Sequence, residues 1–158
     1  MARILLIDDD DLVAATIAAQ LQWGGHEVHL ATNGREGLDA HKAGTFDAVL
    51  LDLFMPEMEG LEFIRVLRGR GVATPIIAMT GGMGVGPKQK ESTVDLYLDM
   101  TGKLGACATL RKPFGADALL SCVKACLETK SECRAGALSP HDAAHLPDSF
   151  ASCHDRRA

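Results

Sequence analysis

ILLIDDDDLV, residues 4–13, sets a run of branched apolar residues directly against four adjacent acids, Asp8, Asp9, Asp10 and Asp11. Carboxylates that close repel one another, so they either sit in water as a solvated turn or have positive charge brought to them. The apolar half reads as a strand buried on both faces, because no polar residue interrupts it. Comparable runs recur at 26–31 (HEVHLA), 47–52 (DAVLLD), 75–80 (PIIAMT) and, shorter, 105–111 (GACATLR), so with RILLID (3–8) there are five strand candidates. Helical spacing fills the intervals: Val13, Ile17 and Leu21; a stretch from about Gly34; Leu61, Ile64 and Leu67 or Arg68; then 93–104; then 116–128, where Leu119, Leu120, Val123 and Leu127 make one stripe. Apolar strands separated by helices imply a parallel sheet covered on both faces with right-handed crossovers. The expected fold is a doubly wound α/β sandwich of (βα)5 type.

The 158 residues suit a single domain, and 47% hydrophobic content is ample for a closed core. A net charge of -5 argues against a chain whose main task is gripping nucleic acid, which needs a basic face to displace counterions. No apolar run approaches the roughly 20 residues that span a bilayer, and the acids at 8–11 stand where a signal peptide would place its cleavage site. The expected compartment is the cytoplasm, without membrane partners. Five cysteines without a repeated spacing do not form a recognisable disulfide framework, and Cys107, Cys122 and Cys126, among apolar neighbours, read as buried thiols. Trp23, near the end of the first helix, reads as boundary packing.

In an open parallel sheet, sites form beyond the carboxyl ends of the strands, where the strand order reverses. Here those ends carry Asp8 and Asp9 on the first strand, Asp52 on the third, Thr80 on the fourth, and Lys112 followed by Pro113 on the fifth. Three carboxylates with a hydroxyl and an ammonium beside them suit a hard divalent cation and a phosphoryl group; magnesium commonly takes one or two carboxylates together with phosphate oxygens and water. Asp10 and Asp11, just past the strand, are better placed to cap the first helix, where acids meet the positive end of its dipole.

Taken together and in this order, ILLIDDDD, LLDLFMPEMEGLEFI, PIIAMTG and LRKPF resemble a response-regulator receiver domain of two-component signalling, over about residues 2–128. The resemblance implies a flavodoxin-like strand order 2-1-3-4-5. It implies a receiver domain over 1–128 and Asp52 as phosphoacceptor. Magnesium would be held by Asp9, by Asp8 partly through water, by Asp52 and by the Phe54 backbone carbonyl. Thr80 and Lys112 would bind phosphoryl oxygens, and Thr80, Thr109, Lys112 and Pro113 would form the switch region, with a cis bond before Pro113. Met55-Pro56 would turn the chain away after Asp52, with Gly60 at the start of the third helix. The implied partners are a histidine kinase or histidine phosphotransfer protein and a downstream protein target. The chain would catalyse only its own phosphorylation and dephosphorylation, and is expected to be a stand-alone switch that does not contact nucleic acid.

Two features depart from the family pattern. The interval from Thr80 to Lys112 is long, with the surplus in GGMGVGPKQKEST (81–93), which reads as a flexible loop that cannot begin a helix before about Ser92. Its Gly81, Gly82, Gly84 and Gly86 match neither the phosphate-loop nor the dinucleotide spacing. Thr109 stands where the family generally carries an aromatic ring that swings inward on phosphorylation. Residues 129–158, with Pro140 and Pro147 and no sustained period, read as a weakly ordered tail. His141, His145, Cys153 and His154 in it lack the second spaced pair of a zinc site. Two other readings remain: a phosphatase of the haloacid-dehalogenase type, with Asp8 as nucleophile in an Asp8-Asp10 pair, and a pseudo-receiver that binds partners without being phosphorylated.

Overall fold

A computed structural model of the protein describes residues 1–55, 58–81 and 91–135. Strands and helices alternate as β1 (Arg3–Ile7), α1 (Asp11–Trp23), β2 (Glu27–Ala31), α2 (Gly34–Ala43), β3 (Ala48–Asp52), α3 (Gly60–Gly69), β4 (Ile76–Thr80), α4 (Glu91–Lys103), β5 (Ala108–Arg111) and α5 (Ala116–Ala135). The five strands are all parallel, in the order β2-β1-β3-β4-β5. Both the (βα)5 architecture and the expected strand order are present.

Period-two alternation divides the core between the faces of the sheet. Ile4, Leu6, Leu50, Ile77 and Met79 pack with Ile17, Leu21, Leu119 and Val123 of α1 and α5. Leu5, Ile7, Val49, Leu51, Ile76 and Ala78 point the other way, onto Leu38, Phe63, Ile64 and Leu67 of α2 and α3. Each of β1, β3 and β4 thus serves two cores, which is why these strands read as unbroken apolar runs. The edge strand β2 is largely exposed and reads as mixed.

The helix starts follow their caps. The Asp10 carboxylate accepts from the backbone N–H groups of Leu12 and Val13, and Asp11 lies in the first turn of α1, so both acids do what their positions suggest. Asn33 caps α2 by accepting from Glu36 N–H, while the Glu36 carboxylate accepts from Thr32 N–H, a reciprocal arrangement that satisfies donors the first turn would leave unpaired.

Three expectations need correction. Cys107 and Cys126 are not separate buried thiols but a disulfide, with Cα atoms 6.5 Å apart; Cys122, buried, stays outside the bridge. The pairing follows from topology. The ten helical steps from Ala116 to Cys126 carry α5 back by about 15 Å, roughly the length of the strand before it, which returns Cys126 to the start of β5. Trp23 is not boundary packing, being 81% exposed. Helix α5 does not stop near 128 but continues to Ala135. The remainder of the tail, with His141, His145, Cys153 and His154, lies outside the described residues, as do Pro56 and the 82–90 part of the glycine-rich loop.

Candidate functional site

The carboxyl ends of β1, β3, β4 and the segment after β5 bring the expected residues together. One oxygen from each of Asp8, Asp9 and Asp52 lies within 4.8 Å of the others, with Asp8 and Asp52 buried and Asp9 exposed. Lys112 Nζ donates to Asp8 Oδ2 at 2.6 Å and stands 3.6 Å from Asp52 Oδ2. The other Asp8 oxygen accepts from Asp10 N–H at 3.0 Å. Asp52 Oδ1 accepts from Phe54 N–H at 3.3 Å. The peptide bond between Lys112 and Pro113 is cis, as expected.

Two glycines permit this convergence. A methyl group at Gly60 would lie 2.8 Å from both the Asp52 carbonyl oxygen and the Leu53 Cα, so α3 can begin hard against the end of β3 only without a side chain there. Gly81 has φ +82° and continues the chain from Thr80, whose carbonyl oxygen accepts from Lys112 N–H at 2.7 Å. That backbone bond sets Lys112 against the end of β4.

Among the described residues, the ammonium placed against these acids is that of Lys112, which pairs with Asp8 and Asp52, both withdrawn from water. Burial, the largest cause, raises the Asp52 pKa from the usual carboxylate value to about 6; the charge of Lys112 works against that rise, and the charge of Asp8 adds to it. Thr80 is fully buried, and its hydroxyl oxygen has no hydrogen-bond partner among the described residues. A buried hydroxyl in that state beside excess negative charge fits a site completed by a cation and by an oxygen-rich group that can accept from it. The donor set is entirely oxygen, which suits magnesium rather than a soft metal.

Thr109 lies on β5, half-buried and in register with Ala78 of β4. One neighbour was not foreseen. The ring of Phe54 packs on Tyr97 of α4, with centroids 5.2 Å apart and planes tilted by 55°. Nothing in the sequence pairs these residues, because the contact depends on how α4 lies over the end of the sheet. A broad open hollow lined by His41, Phe46, Thr74 and Cys107 lies at the opposite, amino-terminal end of the strands, remote from the acids. Among the described residues no helix is long and apolar enough to cross a membrane.

Residues 4–124 match the family model of the response regulator receiver domain. The response regulator MprA of Mycolicibacterium vanbaalenii is 37% identical over 125 residues, covering 79% of this chain and 50% of that protein. The cell cycle transcriptional regulator CtrA of Caulobacter vibrioides is 34% identical over 123 residues, covering 78% and 49%. A crystal structure of a CheY-like response regulator receiver domain protein from Methanospirillum hungatei superposes with a TM-score of 0.70 at 27% identity, covering 84% of this chain and 98% of that one. The chain thus spans about half the length of these curated relatives, and one of them is named a transcriptional regulator. The expectation of a stand-alone output without nucleic acid draws no support from them. Sequence, strand order and the acids at the strand ends all place this chain in the response-regulator receiver domain family.

Proposed function

We propose that the chain is the phosphoacceptor switch of a two-component relay, taking a phosphoryl group from a phosphohistidine of a kinase or phosphotransfer protein onto Asp52. The observation that carries this reading is the buried Asp52 carboxylate, flanked by Lys112, Asp8 and Asp9, with the buried Thr80 hydroxyl, unpartnered among the described residues, at the end of the neighbouring strand. With a pKa near 6, Asp52 is mostly ionised at neutral pH and more basic than a solvated aspartate, which favours it as a nucleophile. An Asp52 oxygen attacks phosphorus as the N–P bond breaks; the electron pair stays on the imidazole nitrogen, which then takes a proton. Such a transfer asks the protein mainly for in-line positioning and neutralisation of the equatorial oxygens.

The chain's own groups provide both. Lys112 keeps donors to spare beyond its bond to Asp8 and can offer one to a phosphoryl oxygen. The Thr80 hydroxyl can donate to another. Asp8, Asp9, Asp52 and the Phe54 carbonyl would hold magnesium, which supplies the remaining neutralisation of phosphoryl charge when bound. Phe54 adds bulk beside the acceptor without a group able to orient water, so the acyl phosphate should hydrolyse slowly.

The phosphatase alternative requires a free Asp8 nucleophile with Asp10 as its partner. Both Asp8 oxygens are engaged, by Lys112 and by the Asp10 amide, while the Asp10 side chain caps α1. The reading is tested by incubating the protein with magnesium and acetyl phosphate and measuring intact mass. Wild type should gain one phosphoryl group and Asp52→Asn none; uptake by Asp52→Asn that is lost in Asp8→Asn would favour the phosphatase, and no uptake by any form would favour a pseudo-receiver.

A further inference from the structure

The switch needs a route from Asp52 to the protein surface, and the residue at the position expected to supply it, Thr109, has no ring to swing. A different aromatic path is present. Phe54 is joined to the acceptor through its backbone, because its N–H donates to the Asp52 carboxylate. Its ring touches Tyr97 of α4 in a tilted geometry. Both side chains are half-buried, whereas Leu96 and Met100 of the same helix, one residue before Tyr97 and three after it, are exposed. One contact therefore lies between the reacting carboxylate and a helix that presents apolar side chains to solvent.

We infer that Tyr97 is a positioning residue that reads the state of Asp52 through the Phe54 ring and passes it to α4. The inference rests on the receiver reading of Asp52 and extends it. Phosphorylation turns one carboxylate oxygen into an anhydride oxygen and brings three further oxygens to the site, so the Phe54 amide meets a changed set of acceptors. A small shift of that peptide turns the attached ring. Aromatic pairs favour offset and tilted arrangements over others, so the Tyr97 ring follows to a new preferred contact instead of tolerating a continuous range of positions. Movement of Tyr97 then re-sets α4 and the exposure of Leu96 and Met100.

Tyr97 is the only tyrosine in the chain, which gives the test a single reporter. Full-length protein carrying 3-fluorotyrosine is examined by fluorine NMR with magnesium, before and after adding beryllofluoride as an acyl-phosphate mimic. The resonance should move by more than its linewidth. In parallel, amide hydrogen exchange across α4 is compared with and without the mimic in wild type, Tyr97→Leu and Tyr97→Phe, and uptake from acetyl phosphate is followed by intact mass. The α4 response should vanish in Tyr97→Leu and survive in Tyr97→Phe, with phosphoryl uptake equal in all three. An unmoved fluorine signal in a protein that does take up the phosphoryl group overturns the inference and leaves the receiver reading standing, as does an undiminished α4 response in Tyr97→Leu. Failure of wild type to take up any phosphoryl group overturns both.

Discussion

Replacing Asp52 by Asn should make the metal-free protein more stable, and the gain should depend on pH in a defined way. Asp52 binds its proton more tightly folded than unfolded, with a pKa raised from 3.8 to about 6. Between those two values the native state holds the extra proton, so this group's contribution to stability falls as pH rises from about 4 to about 6 and is level above that. At 1.36 kcal/mol per unit, a shift of this size corresponds to about 3 kcal/mol lost on reaching neutral pH, before any cost of burying the Asn amide. Asp52→Asn removes the ionisation and with it the loss. Urea unfolding in EDTA at pH 4 and pH 7.5 measures the difference. The variant should gain about 1–3 kcal/mol on wild type at pH 7.5 and much less at pH 4. Equal differences at the two pH values would refute the account of Asp52 as a buried carboxylate short of positive charge. Added magnesium should close the gap at pH 7.5, since a ligand that binds only the native state stabilises wild type by mass action.

Three further outcomes follow from the same geometry. Lys112→Ala leaves the buried Asp8 charge without its ammonium and should cost about 3 kcal/mol in urea unfolding, while magnesium affinity measured by calorimetry does not fall. Gly60→Ala places a methyl group 2.8 Å from backbone on β3 and should destabilise by about 1–3 kcal/mol, with reduced phosphoryl uptake as the loop around Asp52 shifts. Phe54→Asn introduces a group that can orient water, and should shorten the acyl-phosphate lifetime about tenfold, or roughly 1.4 kcal/mol in the hydrolysis barrier; an unchanged decay rate would show that this side chain does not gate water. A last expectation rests on composition alone: residues 136–158 carry few large apolar side chains, so removing them should lower the melting temperature by no more than a few degrees and leave phosphoryl uptake unchanged.

The layout of the fold is legible in the sequence because β1, β3 and β4 each face two cores and must be apolar at every position between their polar ends. The site is legible for a related reason: a buried strand that runs into an acid has to present that acid at the sheet edge, and Asp8 directly follows β1 while Asp52 ends its neighbour β3. What escaped depends on contacts across the chain. The Cys107–Cys126 pairing requires knowing that α5 runs back along β5. The contact between Phe54 and Tyr97 requires the placement of α4. The extension of α5 to Ala135 escaped for another reason: ETKSECRA (128–135) has no apolar stripe, but its Glu, Lys, Arg and Ala residues are good helix formers, so propensity continues a helix after periodicity has ended. Trp23 shows the limit of residue type as a guide, since a large aromatic at a helix end was expected to pack and is exposed.

The most direct test of the central claim is to find the phosphoryl group. Protein treated with magnesium and acetyl phosphate is reduced with borohydride, which converts an aspartyl phosphate to homoserine, then digested and sequenced by mass spectrometry. The account predicts conversion at Asp52 alone, abolished when the phosphodonor is omitted. Conversion at Asp8, or at no residue, would contradict it.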